Sequence, residues 1–477
     1  MNRQNNQNQS SQLDIVTPIS EVFMEIFQAF IEVIGRLIVY LGRSCWDAYL
    51  ERVKKIYRNS PIKNRLVYSA KQSDSEEVIG RSINRKRPLL FSEINTAKHT
   101  GIIGSTGMGK SVCMGHLVEK SLREGKPAII FDPKPSRSSI EEFKSLCLKY
   151  GKQARIISNT IEQTNLFNPL IEGDIQEISN RIMGALEWGE TYYKSVSQRA
   201  LLEALRQIEQ NGNDITLESI LERLDSYHDR KSISGLHTQL FLLSHSSFSK
   251  IINCSNAESL SFRQIRLEKC CIYIGISSLG IGSVGMALNK LYFGGILNHC
   301  KEAFNGIIAG LENPLELPIS LFFDELSSTV NAQFIDLQNK CRAAGIELTY
   351  ATQCPSDLDR VSPDFKRQVF ENTNNLFVFN QIVPDHTEFF ARTAGTTRTY
   401  KKTFAIENNQ RSQFGSEREV EEFIVHANIF RELRVGQCIY IQRTPKRVDL
   451  VNIKHKSKQP GPQALTSNES ASKSIFN

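Results

Sequence analysis

Gly104-Ser105-Thr106-Gly107-Met108-Gly109-Lys110-Ser111 is the stretch on which the fold turns. It fits the pattern G-x-x-x-x-G-K-S/T. A short apolar run, HTGIIG (His99 to Gly104), precedes it, and a helical pattern continues to about Glu124. Glycines let the backbone turn so that successive N–H groups point inward, making an anion nest at a helix N-terminus. The Lys110 ammonium then reaches the β- and γ-phosphates, and the Ser111 hydroxyl is placed to ligate magnesium. The stretch predicts a strand, a phosphate-binding loop and a helix that together hold ATP with Mg²⁺.

Such a loop needs a second carboxylate for the metal and a base for water. ISLFFDE (Ile319 to Glu325) supplies both at the end of an apolar strand. Asp324 is expected to hold Mg²⁺ through water, and Glu325 to orient and deprotonate the attacking water. IIFD (Ile129 to Asp132) comes too soon after the loop and runs into Pro133, so it reads as the strand neighbouring the loop strand. ELTYAT (Glu347 to Thr352) is a further strand, ending in Gln353. Two readings of that amide stand open: a sensor of the γ-phosphate, or an ordinary strand-end glutamine. Arg342 precedes Gln353 by eleven residues, at the end of a helix. On its own it reads as a solvated surface arginine. The alternative is an arginine that projects into a neighbouring subunit's site.

At 477 residues the chain exceeds one ordinary core, and 40% apolar with 23% charged residues is the balance of a globular protein, which excludes wholesale disorder. A net charge of +7 permits a polyanionic partner without demanding one. Ten cysteines include no CxxC pair, so zinc spacing is missing and buried thiols in a reducing cytosol are expected. Residues 1–18 read as a disordered arm without a signal peptide, and 19–58 as an amphipathic or possible membrane helix with a basic run. Glu25, Gln28, Glu32 and Arg36 fall on one stripe of that helix. It is either a helix at or through the membrane that turns this stripe away from lipid, or a soluble helix on a partner.

Residues 59–88 read as a linker, 89–171 as the first part of a nucleotide-binding domain, and 172–260 as an all-helical insertion. Residues 261–453 complete the nucleotide domain, and 454–477 form a disordered tail. Strands interleaved with helices predict an α/β class fold, a mainly parallel sheet of the RecA-like kind covered on both faces.

GSTGMGKS, IIFDPKP (Ile129 to Pro135), FNPL (Phe167 to Leu170) and QNKCRAAGIELTYATQ (Gln338 to Gln353) together resemble the TraD/TraG-type coupling proteins of conjugation, the DNA-pumping ATPases of type IV secretion. The likeness runs from about Leu89 to Val451. It implies a hexameric ring at the bacterial inner membrane, with Gln353 as sensor and Arg342 acting in trans. It also implies single-stranded DNA, relaxase and relaxosome proteins, and secretion-channel components as partners. Typical members carry a pair of N-terminal membrane spans, and this chain departs from that in having one amphipathic segment.

No zinc-finger, helix-turn-helix or RNP signature supports sequence-specific readout. Lys134 and Arg137, after the Asp132 strand, are the expected DNA-backbone pair; a solvated face is the other reading. Three functions stay in view: a motor moving single-stranded DNA with its relaxase to the channel, a secretion ATPase energising protein export or pilus assembly without DNA, and a non-motor nucleotide switch.

Overall fold

The computed structural model describes residues 77–277, 282–362, 364–407 and 410–455, together with most of 30–48. The arm at 1–18, Glu25 and Gln28 of the polar stripe, the basic run and the tail beyond residue 455 lie outside the described residues. Two compact units result: one holds the N-terminal helical residues and a long hairpin, the other everything else.

In the larger unit, β1 (Val78–Ser82) and β2 (Arg87–Leu90) pair antiparallel. β3 (Thr100–Ile103) leads through the glycine-rich loop into α1 (Lys110–Arg123). β4 (Ala128–Asp132), α2 (Arg137–Lys149) and β5 (Ala154–Ser158) follow. A run of helices comes next: α3 (Ile175–Ala185), α4 (Thr191–Gln210), α5 (Leu217–Asp225), α6 (Ser234–Ser244), α7 (Ser249–Ile252) and α8 (Phe262–Leu267). The sheet resumes with β6 (Cys271–Gly275), α9 (Gly282–Phe304), β7 (Ile319–Phe323), α10 (Phe334–Lys340) and β8 (Ile346–Thr352). Then come α11 (Ser356–Asp359), α12 (Phe365–Glu371), β9 (Asn375–Val378) and α13 (Pro384–Ala394). After the hairpin β10 (Thr396–Glu407) and β11 (Gln410–Phe423), the chain ends in α14 (Ala427–Glu432), β12 (Gln437–Gln442) and β13 (Arg447–Ile453).

Eleven strands form one sheet in the order β2-β1-β13-β12-β9-β3-β8-β7-β4-β6-β5. From β9 to β5 every pairing is parallel. These strands are near-continuous apolar runs; β6 and β7 are buried at every position, as a sheet covered on both faces requires. β12, β13, β1 and β2 extend it antiparallel at the other edge.

Two expectations are corrected here. β4 does not neighbour β3, because β8 and β7 lie between them. The crossover through α1 skips two positions that later strands fill, and distance along the sequence does not encode such a skip. The segment 59–88 is not linker throughout, since β1 and the first residues of β2 belong to the sheet. Residues 78–82 pair with β13 at the far end of the chain, and Pro88 is tolerated because β2 is an edge strand that need not donate outward.

The helices α3–α8 are set off by their own caps. The Asp174 carboxylate accepts the Glu177 N–H (2.8 Å) while Glu177 accepts the Asp174 N–H (3.0 Å), a reciprocal box that starts α3. FNPL is the bracket between these helices and the sheet. The Phe167 ring sits 5.0 Å from Phe262 and 5.1 Å from Tyr292, and the Tyr292 hydroxyl donates to Phe167 O at 2.7 Å. The fully buried Asn168 donates to Ile215 O at 2.8 Å. Arg181 donates to Pro169 O and Glu172 O, each at 2.6 Å.

In the smaller unit, β10 and β11 pair from Thr396↔Phe423 to Glu407↔Gln410. Across the strands, Lys401 lies 2.5 Å from Glu422 and Arg398 3.7 Å from Glu419, opposite charges facing each other. Among the N-terminal helical residues, Glu32 and Arg36 of the polar stripe pair with each other at 2.8 Å. Phe30, Ile34, Leu37, Tyr40, Leu41 and Trp46 are exposed. No helix among the described residues is long and apolar enough to cross a membrane.

Candidate functional site

The loop Gly104 to Ser111 leaves the C-terminal end of β3 suspended between two strand ends. Gly104 N–H donates to Thr352 O, and Ser105 N–H to Asn380 O, both at 3.2 Å. Gly436, ahead of β12, donates its N–H to Met108 O at 2.9 Å. Gly107 and Gly109 adopt φ of 79° and 110°, a region that disfavours side chains, so the nest depends on both being glycine. Gly104 is glycine for a different reason: a Cβ there would lie 2.5 Å from Phe379 Cβ. Lys110 and Ser111 open α1, and Thr106, Gly107 and Ser111 face solvent. The Lys110 ammonium folds back onto the loop, donating to Gly104 O at 2.6 Å and Ser105 O at 3.2 Å. Burial pulls its pKa down, while Glu325 and Asp324 push it up.

β7 delivers the acidic pair opposite. Asp324 N–H donates to Phe131 O at 2.9 Å, which ties the end of β7 to β4. Burial, and then the Asp132 carboxylate beside it, push the Asp324 pKa up to about 6; Lys110 and Lys134 pull the other way. Glu325 adopts φ 74°, a costly conformation for a residue with a side chain, of the kind held at functional sites. Its Oε2 accepts the Gln353 Nε2–H at 2.9 Å and lies 3.6 Å from Lys134 Nζ. The Gln353 carbonyl in turn accepts from Gln381 Nε2 at 3.0 Å.

The structure therefore brings Lys110, Asp324, Glu325, Gln353 and Lys134 to one end of the sheet. Arg342 is exposed at the opposite end, before β8 begins. The seven residues of β8 span about 23 Å at ~3.3 Å each, so Arg342 does not reach its own chain's loop. Arg137 is exposed at the first position of α2. No group of three or more ligand-type side chains among the described residues forms a metal site by itself. Positive-φ glycines, a lysine whose ammonium rests on loop carbonyls and a carboxylate destabilised by burial and then by its acidic neighbour all fit a magnesium-bound triphosphate.

Sequence reasoning passed over several supporting groups. Asp132 is buried, accepts the Tyr273 hydroxyl, and takes the Lys134 N–H at 2.7 Å; burial raises its pKa. Its signal was in plain view in IIFDPKP, but its place beside Asp324 depends on β4 neighbouring β7. Asn380 and Gly436, which brace the loop through the main chain, had no readable signal.

Two family models match the sequence: residues 78–267 match the central domain of the helicase HerA, and 318–434 match the TraM recognition site of TraD and TraG. No curated protein sequence matches significantly. Among solved structures, the unbound bacterial conjugative coupling protein TrwBdeltaN70 is similar at 17% identity, with 81% of this chain and 90% of that one covered and a TM-score of 0.61. The plasmid coupling protein TrwB in complex with ADP and Mg²⁺ gives 17% identity, 84% and 97% coverage and a TM-score of 0.58. VirB4 of Thermoanaerobacter pseudethanolicus gives 15%, 81% and 99%, and 0.55. The fold is that of these proteins, a RecA-type α/β sheet with inserted helices. In these two matching regions, its glycine-rich loop and this architecture, the chain is similar to the TraD/TraG-type coupling ATPases of conjugation.

Proposed function

We propose that this chain is an ATP-driven motor that binds DNA without reading its sequence and delivers single-stranded DNA, with its relaxase, to a type IV secretion channel. The observation that carries the reading is the meeting of Glu325, Gln353 and Asp324 with the Lys110 loop at one end of the sheet. TrwB, with the same fold, has been solved with ADP and Mg²⁺ and with a non-hydrolysable ATP analogue. Here Gly104 to Ser111 would hold the triphosphate, and Ser111 and Asp324 the Mg²⁺. Bound magnesium supplies charge neutralisation across the phosphates. Glu325 orients and deprotonates the attacking water, and Gln353 links that carboxylate to the end of β8. Arg342, out of reach of its own loop, serves the next subunit of a hexameric ring at the inner membrane. The region matching a TraM recognition site supports a relaxosome protein as partner.

The test is steady-state ATP hydrolysis with and without single-stranded DNA across salt concentrations. Stimulation that fades as salt rises is the expected result, since phosphate contacts release counterions. Hydrolysis indifferent to DNA at every salt concentration points instead to an ATPase energising protein export or pilus assembly, and absent hydrolysis points to a nucleotide switch.

A further inference from the structure

Glu325 Oε2 is engaged twice, by Gln353 at 2.9 Å and by Lys134 Nζ at 3.6 Å. A carboxylate so engaged is held in place from two sides. The two partners are built differently. Gln353 ends a buried strand and is itself held by Gln381. Lys134 sits between Pro133 and Pro135 in the loop leaving β4, and its side chain is 52% exposed. The loop backbone is fixed at its root, where Asp132 accepts both the Tyr273 hydroxyl and the Lys134 N–H, and proline on either side limits it further. The lysine stem keeps its freedom, so the ammonium is the movable part. Three residues on, Arg137 presents a second exposed cation.

We propose that Lys134 is a positioning residue that restrains Glu325 until a polyanion beside the site draws its ammonium away. The polyanion is the phosphate backbone of nucleic acid, so this inference rests on the DNA-motor reading and names its coupling device. A backbone phosphate within reach of Lys134 and Arg137 competes with Glu325 for the ammonium. Its success leaves Glu325 oriented by Gln353 alone, with the side that faced Lys134 open to water. Hydrolysis is then spent chiefly when a strand is present.

The test uses the full chain and its Lys134→Ala and Lys134→Arg variants, measuring steady-state ATP hydrolysis with and without an oligothymidylate at low salt. Binding of a fluorescent ATP analogue serves as the control for folding. Lys134→Ala is expected to bind the analogue as the parent does, to hydrolyse ATP several-fold faster without DNA, and to lose DNA stimulation. Lys134→Arg retains the cation and is expected to keep most of the stimulation. A Lys134→Ala protein whose DNA-free rate equals or falls below the parent's, with analogue binding intact, overturns the inference. If analogue binding is lost, Lys134 acts on nucleotide and the restraint is again overturned. A parent enzyme that ignores DNA overturns the motor reading instead, while the DNA-free rates of parent and variant still decide whether Lys134 restrains Glu325.

Discussion

Gln353 Nε2 donates to Glu325 Oε2 at 2.9 Å across the ends of β8 and β7, so the amide that follows one strand fixes the carboxylate that follows another. The two are separated by twenty-eight residues and joined by the parallel pairing of their strands. Loss of either side chain should therefore act on the same step.

Glu325→Gln should bind ATP and leave it unhydrolysed, because the water loses its base, with turnover falling about 10²–10⁴-fold. Filter binding of labelled nucleotide alongside a phosphate-release assay checks this. Lys110→Ala should instead fail at binding, so that the two variants separate cradle from chemistry. Normal turnover in Glu325→Gln would remove it from the role.

Arg342→Ala should leave nucleotide affinity intact and lower turnover of the assembled ring by about 10³–10⁵-fold, the range of a trans-acting arginine. Rings mixed from Arg342→Ala and Lys110→Ala chains provide the check. Each active site needs a loop from one chain and an arginine from its neighbour, so mixing should restore activity. No recovery on mixing would return Arg342 to the solvated surface.

Gly104→Ala should loosen the loop while leaving the sheet folded. The new methyl meets Phe379 Cβ at 2.5 Å, and overpacking of this kind costs on the order of 1–3 kcal/mol. The loop root is the part able to yield. Isothermal titration with an ATP analogue should show weakened binding, with little change in thermal midpoint.

His299 gives the protein an acid limit. The ring is fully buried, and burial together with Arg266 and Arg263 pushes its pKa down to about 3. The unfolded chain takes that proton near the ordinary value of about 6.5, whereas the folded chain refuses it. Stability from this group is thus complete above 6.5 and falls as pH drops toward 3, by about 1.4 kcal/mol per pH unit. Denaturant midpoints of parent and His299→Gln between pH 7 and pH 5 should show a shallower slope in the variant.

The parts legible in the sequence were those written in contiguous, chemically extreme runs. GSTGMGKS needs its glycines, and ISLFF, buried at every position, is an apolar run closed by its acidic pair. Strands with mixed faces escaped. Ala154–Ser158 carries Arg155, Arg447–Ile453 begins with a buried Arg447–Asp449 pair, and the hairpin β10–β11 sets Lys401 against Glu422. The adjacency of Lys134 and Glu325 was out of reach for another reason, because it follows from β4 lying beside β7. That neighbourhood is set by helix crossovers, not by any local pattern.

The main-chain bond from Gly436 to Met108 carries a consequence for biosynthesis. The N–H that steadies the loop is supplied just ahead of β12, and Ile453 N–H closes the same turn on Gly436 O at 2.8 Å. A growing chain that has already extruded its glycine-rich loop still lacks this support until β12 and β13 leave the ribosome. Bracing of the loop thereby waits on β12 and β13, and a chain stopped before them lacks it.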